Sequence, residues 1–141
     1  MKQKFLMLAL CLLAAIGVKA QNFDVINNTG CTIYYRIYNN TPGVCFNNTW
    51  TSVLSIPPTS TNNYTPATLG FSGTFEYYKF IFSTNTNGLT NPTCPVQGQV
   101  GQSCVPFPTT YTVSVPAGCG TCTSITATWV DVGGNITVTF N

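Results

Sequence analysis

Residues 124–141 read SITATWVDVGGNITVTFN, two runs of alternating apolar and polar side chains separated by Gly133-Gly134. Ile125, Ala127 and Trp129 alternate with Thr126, Thr128 and Val130, and Ile136, Val138 and Phe140 alternate with Thr137 and Thr139. A period of two marks a strand with one buried face, and a two-glycine break between such runs marks a hairpin turn. The stretch therefore predicts a C-terminal β-hairpin and sets the expectation for the rest of the chain.

The same period recurs upstream. Phe23-Asp24-Val25-Ile26 reads as a short strand, and Cys31, Ile33, Tyr35 and Ile37 alternate with Thr32, Tyr34, Arg36 and Tyr38, which places Arg36 on the wetter face. A third strand fits Thr49 to Ile56 and stops at Pro57-Pro58; a weaker one fits Asn63 to Leu69. Residues 74–83, TFEYYKFIFS, are aromatic and β-branched throughout, which suits a central strand, with Glu76 and Lys79 on opposite faces. Residues 84–108 carry Asn, Gly and Pro at short intervals and read as a long loop, before Thr110 to Val115 resumes strand character. No 3.6-residue period appears after residue 20. The fold class expected is an all-β, antiparallel β-sandwich of about seven or eight strands, disulfide-stapled, with a C-terminal hairpin.

Residues 1–20 predict a signal peptide: Lys2 and Lys4 precede an apolar run from Phe5 to Val18, and Val18-Lys19-Ala20 ends in small residues at the cleavage spacing. The run is too short for a spanning helix, which needs ~20 apolar residues, so stable membrane insertion is not expected. Cys11 lies inside the run, but Leu10 before it is too large for a lipoprotein processing site. Residues 21–141 are expected to form one domain, secreted or held at the cell surface, with the periplasm as the other compartment the leader allows.

Export changes the charge argument, because Lys2, Lys4 and Lys19 leave with the leader. Arg36 and Lys79 then face Asp24, Glu76 and Asp131, two cations against three carboxylates. Two cations cannot neutralise a run of phosphates, which excludes nucleic acid as a partner. The triplets Asn27-Asn28-Thr29, Asn39-Asn40-Thr41 and Asn47-Asn48-Thr49 read as turns.

Of seven cysteines, Cys11 belongs to the leader, leaving Cys31, Cys45, Cys94, Cys104, Cys119 and Cys122. An even number in an exported chain predicts disulfides, and the absence of any histidine disfavours zinc. The sequential pairing Cys31–Cys45, Cys94–Cys104 and Cys119–Cys122 is the expectation, because Gly118 and Gly120 favour a turn that lets Cys119 meet Cys122. Two alternatives bear on it. In a continuous strand the odd offset would send Cys119 and Cys122 to different partners, and a simple hairpin at Asn39 to Val44 would set Cys45 opposite Tyr38.

The chemistry expected is sparse. Without histidine there is no Ser-His or Cys-His nucleophile, and the strand sequence after Cys122 denies C-x-x-C the helix N-terminus that a redox thiolate uses. No enzyme activity, cofactor or metal is expected. Two non-catalytic roles remain. The first is a surface-structural or adhesive protein that self-associates, its apolar last strand adding to a neighbour's sheet should that strand lie at an edge. The second is a lectin-like module that binds surface glycans, with Tyr34, Tyr38, Trp50, Tyr77 and Tyr78, and also Tyr64, offering rings on which sugars stack. Thr126/Thr128 and Thr137/Thr139 also raise an ice-binding role, although Thr is the ordinary filling of a strand's wet face.

Overall fold

Alternation along the chain becomes ten strands among the residues that the computed structural model describes, which are 21–40, 48–72, 76–86, 89, 97–101 and 107–141. They are β1 (Phe23–Asn27), β2 (Ile33–Asn40), β3 (Asn48–Trp50), β4 (Leu54–Ile56), β5 (Ser60–Tyr64), β6 (Glu76–Ser83), β7 (Gly98–Gly101), β8 (Thr110–Ser114), β9 (Ser124–Val132) and β10 (Asn135–Phe140). Sheet I runs β5-β1-β10-β9-β8, and sheet II runs β3-β2-β6-β7 with β4 also paired to β2. The two sheets pack face to face as a β-sandwich. No helix among the described residues is long and apolar enough to cross a membrane.

The C-terminal hairpin forms where the sequence predicts it, with Gly133 and Gly134 at φ 65° and 91° in the left-handed region that a primed turn requires. Its last strand is not an edge. β10 pairs antiparallel with β9 on one side and parallel with β1 on the other, from Phe23 opposite Ile136 to Asn27 opposite Phe140. That parallel pair departs from the antiparallel rule followed elsewhere, and it makes β10 an internal strand, so the edge that strand addition would require is not there. The edges of sheet I are β5 and β8.

The inner faces carry the apolar positions of the sequence. Sheet I contributes Phe23, Val25, Ile125, Ala127, Trp129, Ile136, Val138 and Phe140, and sheet II contributes Ile33, Tyr35, Ile37, Ile56, Phe80, Phe82 and Val100. Phe80 lies at the centre, with its ring centroid 5.0 Å from Tyr35, 5.7 Å from Phe23, 5.8 Å from Phe140 and 6.4 Å from Phe82. Each such ring contributes about 1.5–3 kcal/mol by leaving water. One buried polar residue ties the layers together. Asn27 Nδ2 donates to the carbonyls of Cys31 (2.8 Å), Pro57 (2.9 Å) and Ile56 (3.3 Å), while its Oδ1 accepts from Thr29 N–H (3.0 Å) and Oγ1 (2.6 Å).

Several expectations are corrected. The strand expected over Thr49–Ile56 breaks into β3 and β4, because Thr51 takes over two ladder positions: its N–H donates to Ile37 O (3.1 Å) and its Oγ1 accepts from Ile37 N–H (3.2 Å). The weak strand lies at Ser60–Tyr64, and residues 66–70 form turns in which Phe71 N–H returns to Pro66 O at 2.9 Å. Asn39 and Asn40 are not turn residues but end β2, buried. β7 falls inside the stretch expected to be a loop. Its Gly98 sits so close against the Phe82 ring that a Cβ there would clash with Phe82 Cζ, so glycine is what this strand position permits.

The disulfide pattern also differs. Cys31 bonds Cys122 across 91 residues, with Cα atoms 5.7 Å apart, so neither Cys31–Cys45 nor Cys119–Cys122 forms. The turn around Gly118 does exist, since Cys119 N–H donates to Pro116 O at 3.0 Å and Gly118 has φ 85°. It closes at Cys119, however, and the chain then extends so that Thr123 O already accepts from Val115 N–H (2.9 Å). Cys122 is thereby carried to the mouth of β9, where Cys31 enters β2. Cys119 is buried in a disulfide of its own, with its carbonyl accepting from Thr84 Oγ1 at 2.8 Å. Cys45, Cys94 and Cys104 lie outside the described residues, and the expected Cys94–Cys104 pair with them.

Candidate ligand-binding face

Side chains at paired positions share a face, so the register of sheet II dictates what stands on its outer side. Ile33, Tyr35 and Ile37 of β2 point inward and are buried; Tyr34, Arg36 and Tyr38 point outward and are half-buried. Across the ladder Tyr38 pairs with Trp50 of β3 and Lys79 of β6, and Lys79 pairs with Gly101 of β7. One transverse row is therefore Trp50, Tyr38, Lys79, Gly101. The next holds Arg36, Ile81 and Gln99, and the third holds Ser55, Tyr34 and Ser83.

The first row forms a joined surface. Trp50 is 54% exposed, an unusual state for an indole, and its ring centroid lies 5.8 Å from Tyr38 at a 35° tilt. Lys79 Nζ sits 4.2 Å from the Tyr38 ring centroid and 5.6 Å from that of Phe107. Gly101 offers no side chain at its place in the row. Desolvation by burial lowers the Lys79 pKa from its ordinary value. In the second row, Arg36 Nε is buried without a hydrogen-bond partner among the described residues.

Not every ring expected to bind stands here. Tyr34, Tyr38 and Trp50 share the face. Tyr77 is 7% exposed and belongs to the core, its ring 5.0 Å from Phe23 and its hydroxyl donating to Gln21 O at 3.1 Å. Burial raises its pKa to about 12. The reason is a β-bulge: Tyr38 pairs with Lys79 but Asn39 pairs with Tyr77, so Tyr78 is passed over. The same bulge puts Glu76, paired with Asn40, on the Lys79 side by register, although simple alternation sets them on opposite faces. The Tyr78 side chain lies outside the described residues. Tyr64 is committed within the sandwich, its hydroxyl 2.7 Å from that of Tyr35, with Asn62 Nδ2 donating to Tyr35 Oη (3.0 Å), Tyr64 Oη (3.1 Å) and Ser55 O (3.1 Å). Burial is the main cause that raises the Tyr35 pKa.

Phe107 is the member of this face that sequence reading missed, because it lies in the Pro-rich stretch read as loop. Two of the three carboxylates, Asp24 and Asp131, stand on sheet I instead. Asp24 pairs with Thr137 and Asp131 with Ile136, neighbours on β10 whose side chains point to opposite faces. Asp24 accepts from Asn63 Nδ2 (2.9 Å) and Asp131 from Gly134 N–H (2.8 Å). The two therefore do not flank a common bond in the way hydrolysis by paired carboxylates needs. What the outer face of sheet II can do chemically is stack and attract: an exposed indole beside half-buried tyrosine rings, two cations and small hydroxyls on a strand platform. The chain matches no family model, no curated protein and no solved structure, so a functional reading rests on the geometry of this face.

Proposed function

We propose that residues 21–141 act as an exported, non-catalytic β-sandwich that binds carbohydrate through the outer face of sheet II. The observation that carries the reading is Trp50, more than half exposed and continued by Tyr38 on a row fixed by strand register. The exposed part of the indole gains no burial in the fold, whereas the apolar face of a pyranose stacks on it. The Cys31–Cys122 bond fits an oxidising, extracytoplasmic compartment. A glycan array probed with residues 21–141 and with Trp50→Ala tests the proposal. Binding by the parent that falls about tenfold in the variant, with an unchanged denaturation midpoint, supports it. An array silent for the parent, or binding indifferent to Trp50, refutes it.

A surface-structural role is the second reading, and it moves from β10 to β8. β8 is an uncharged edge strand, exposed at Thr110, Tyr111, Thr112 and Ser114. Thr109 O and Val115 N–H bond toward β9, so by alternation Thr110, Thr112 and Ser114 direct their backbone groups outward, as strand addition requires. Concentration-dependent assembly in light scattering, with filaments in electron micrographs, supports this reading; a monomer at every concentration removes it.

A further inference from the structure

The outer face of sheet II holds every cation of residues 21–141. Arg36 pairs with Ile81, and Lys79 lies two residues away from Ile81 on β6, so Arg36 and Lys79 are diagonal neighbours about 7–8 Å apart at Cα. Asp24 and Asp131 stand on sheet I, and Glu76, although on the Lys79 side by register, lies at the end of the β2–β6 ladder opposite Asn40, across the bulge from Lys79, so both cations meet one carboxylate at the margin of the face. A chain with few charges has thus gathered its positive ones beside its most exposed indole.

We infer that the ligand of this face is an acidic glycan, whose sugar ring stacks on Trp50 while its uronate carboxylate is received by Arg36 and Lys79. The inference rests on the carbohydrate-binding reading above and narrows it to a substrate class. Three observations favour a carboxylate. The guanidinium fork of Arg36 matches a carboxylate in the plane, and its buried Nε–H has no acceptor among the described residues, so rotation onto a bound anion supplies one. Lys79 is held beside Tyr38 by ring contact, which fixes its ammonium one strand away from Arg36. The rings of Tyr38 and Phe107 also withdraw that ammonium from water, and a partly desolvated cation gains more from an anion than a hydrated one. A neutral glycan would satisfy the indole alone.

The test compares oligogalacturonate and oligomannuronate with their methyl esters, which keep the ring and remove the charge, by titration calorimetry on residues 21–141. The expected result is that an acid form binds about tenfold more tightly than its ester, as a charge-assisted hydrogen bond predicts, with the difference shrinking as salt rises. Arg36→Gln and Lys79→Gln should each collapse the acid-to-ester ratio toward one, and Arg36→Lys should restore it only in part, since it keeps charge but loses the fork. Denaturation midpoints of the variants confirm that they fold. Equal affinity for acid and ester overturns the acidic specificity and leaves carbohydrate binding standing. Absence of binding to both forms, together with a silent glycan array, overturns both.

Discussion

The two outer faces of the sandwich are built on the same strand geometry and filled in opposite ways. On sheet I one transverse row reads Thr110, Thr128, Thr139, Ile26, Thr61, and the next holds Val130, Thr137, Asp24 and Asn63. Small β-branched and amide side chains cover the backbone there and satisfy one another, as in Thr112 Oγ1 at 2.9 Å from Thr126 Oγ1. On sheet II the corresponding row is Trp50, Tyr38, Lys79. Sheet I demonstrates that threonine suffices to keep such a face wet and its strands paired. Solvation therefore does not require the rings and cations of sheet II, and the ligand proposed above accounts for them. The comparison separates three kinds of residue: those under both faces should govern stability, those outside sheet II should govern binding, and those outside sheet I should govern little.

The sharpest way to break that division is to remove what lies beneath both faces. Phe80→Ala should cost about 3–5 kcal/mol, because the ring touches both inner layers and its loss leaves a cavity that neighbouring rings cannot fill. The chain has two tryptophans, Trp129 inside sheet I and Trp50 outside sheet II, so variants retaining one each report the two layers separately by fluorescence in urea. Coincident transitions show one cooperative core; a shift confined to Trp50 would mean that sheet II stands on its own.

Next in size is the covalent link between the sheets. Cys31 precedes β2 of sheet II and Cys122 precedes β9 of sheet I, so this bridge closes a 91-residue separation across the sandwich. Replacing both by Ala should lower stability by about 2–4 kcal/mol, mainly by freeing the unfolded chain. Glycan affinity should persist wherever the double variant remains folded, because the bridge touches neither outer face. Loss of affinity in folded protein would tie the binding face to the bridge.

How much of this was legible in the sequence follows from which rule each segment obeys. The hairpin β9–β10 and β2 announce themselves through alternation, since each buries one face, whereas β6 and β8 show through their aromatic and β-branched residues. β7 does not, because GQVG carries two glycines in four residues and looks like loop; the reason for Gly98 is the Phe82 ring, a contact between strands that no local pattern encodes. The parallel pairing of β1 with β10 joins the two ends of the described chain and leaves no trace in either strand. On the proposed binding face, the period of β2 sets Tyr34 and Tyr38 on one side with Arg36, whereas nothing local to Trp50 fixes its side and the register with Tyr38 supplies it. Of the adjacent Tyr77 and Tyr78, the pattern does not say which faces the core; the bulge at Tyr78 turns Tyr77 inward, and a bulge without glycine has no local signature. For the cysteines, Gly118 does signal a turn, but a turn at that place does not bring the sulfurs of Cys119 and Cys122 together. That turn ends one residue pair too early.

Alkaline titration sharpens the assignment of tyrosines to core or face, with a smaller effect. Burial raises the Tyr77 pKa from 10.0 to about 12, so its phenol ionises less readily folded than unfolded. A group of this kind supports the fold fully below the unfolded value and loses that support as pH rises toward the folded one. The urea midpoint should therefore hold up to pH 10 and fall between pH 10 and about 12. Tyr35, also raised by burial, adds to the fall. Tyr77→Phe should flatten the decline relative to the parent; an unchanged decline would place the responsible phenols elsewhere.

The smallest effect concerns sheet I itself and bears most directly on the contrast. Thr112 and Thr126 are cross-strand partners whose hydroxyls bond each other while exposed to solvent. Valine in their place keeps the β-branched shape and the strand propensity and removes only the hydroxyls. A double-mutant cycle with Thr112→Val and Thr126→Val should give a coupling of about 0.2–1 kcal/mol, because water replaces each lost bond. Glycan affinity should not move. The valines also make the β8 edge more apolar, so light scattering on the double variant asks whether the hydroxyls keep that edge from pairing with a second copy. A coupling well above 1 kcal/mol, or a loss of glycan binding, would make the threonine face a working surface; assembly that appears only in the valine variant would show that its role is to keep a bare edge apart.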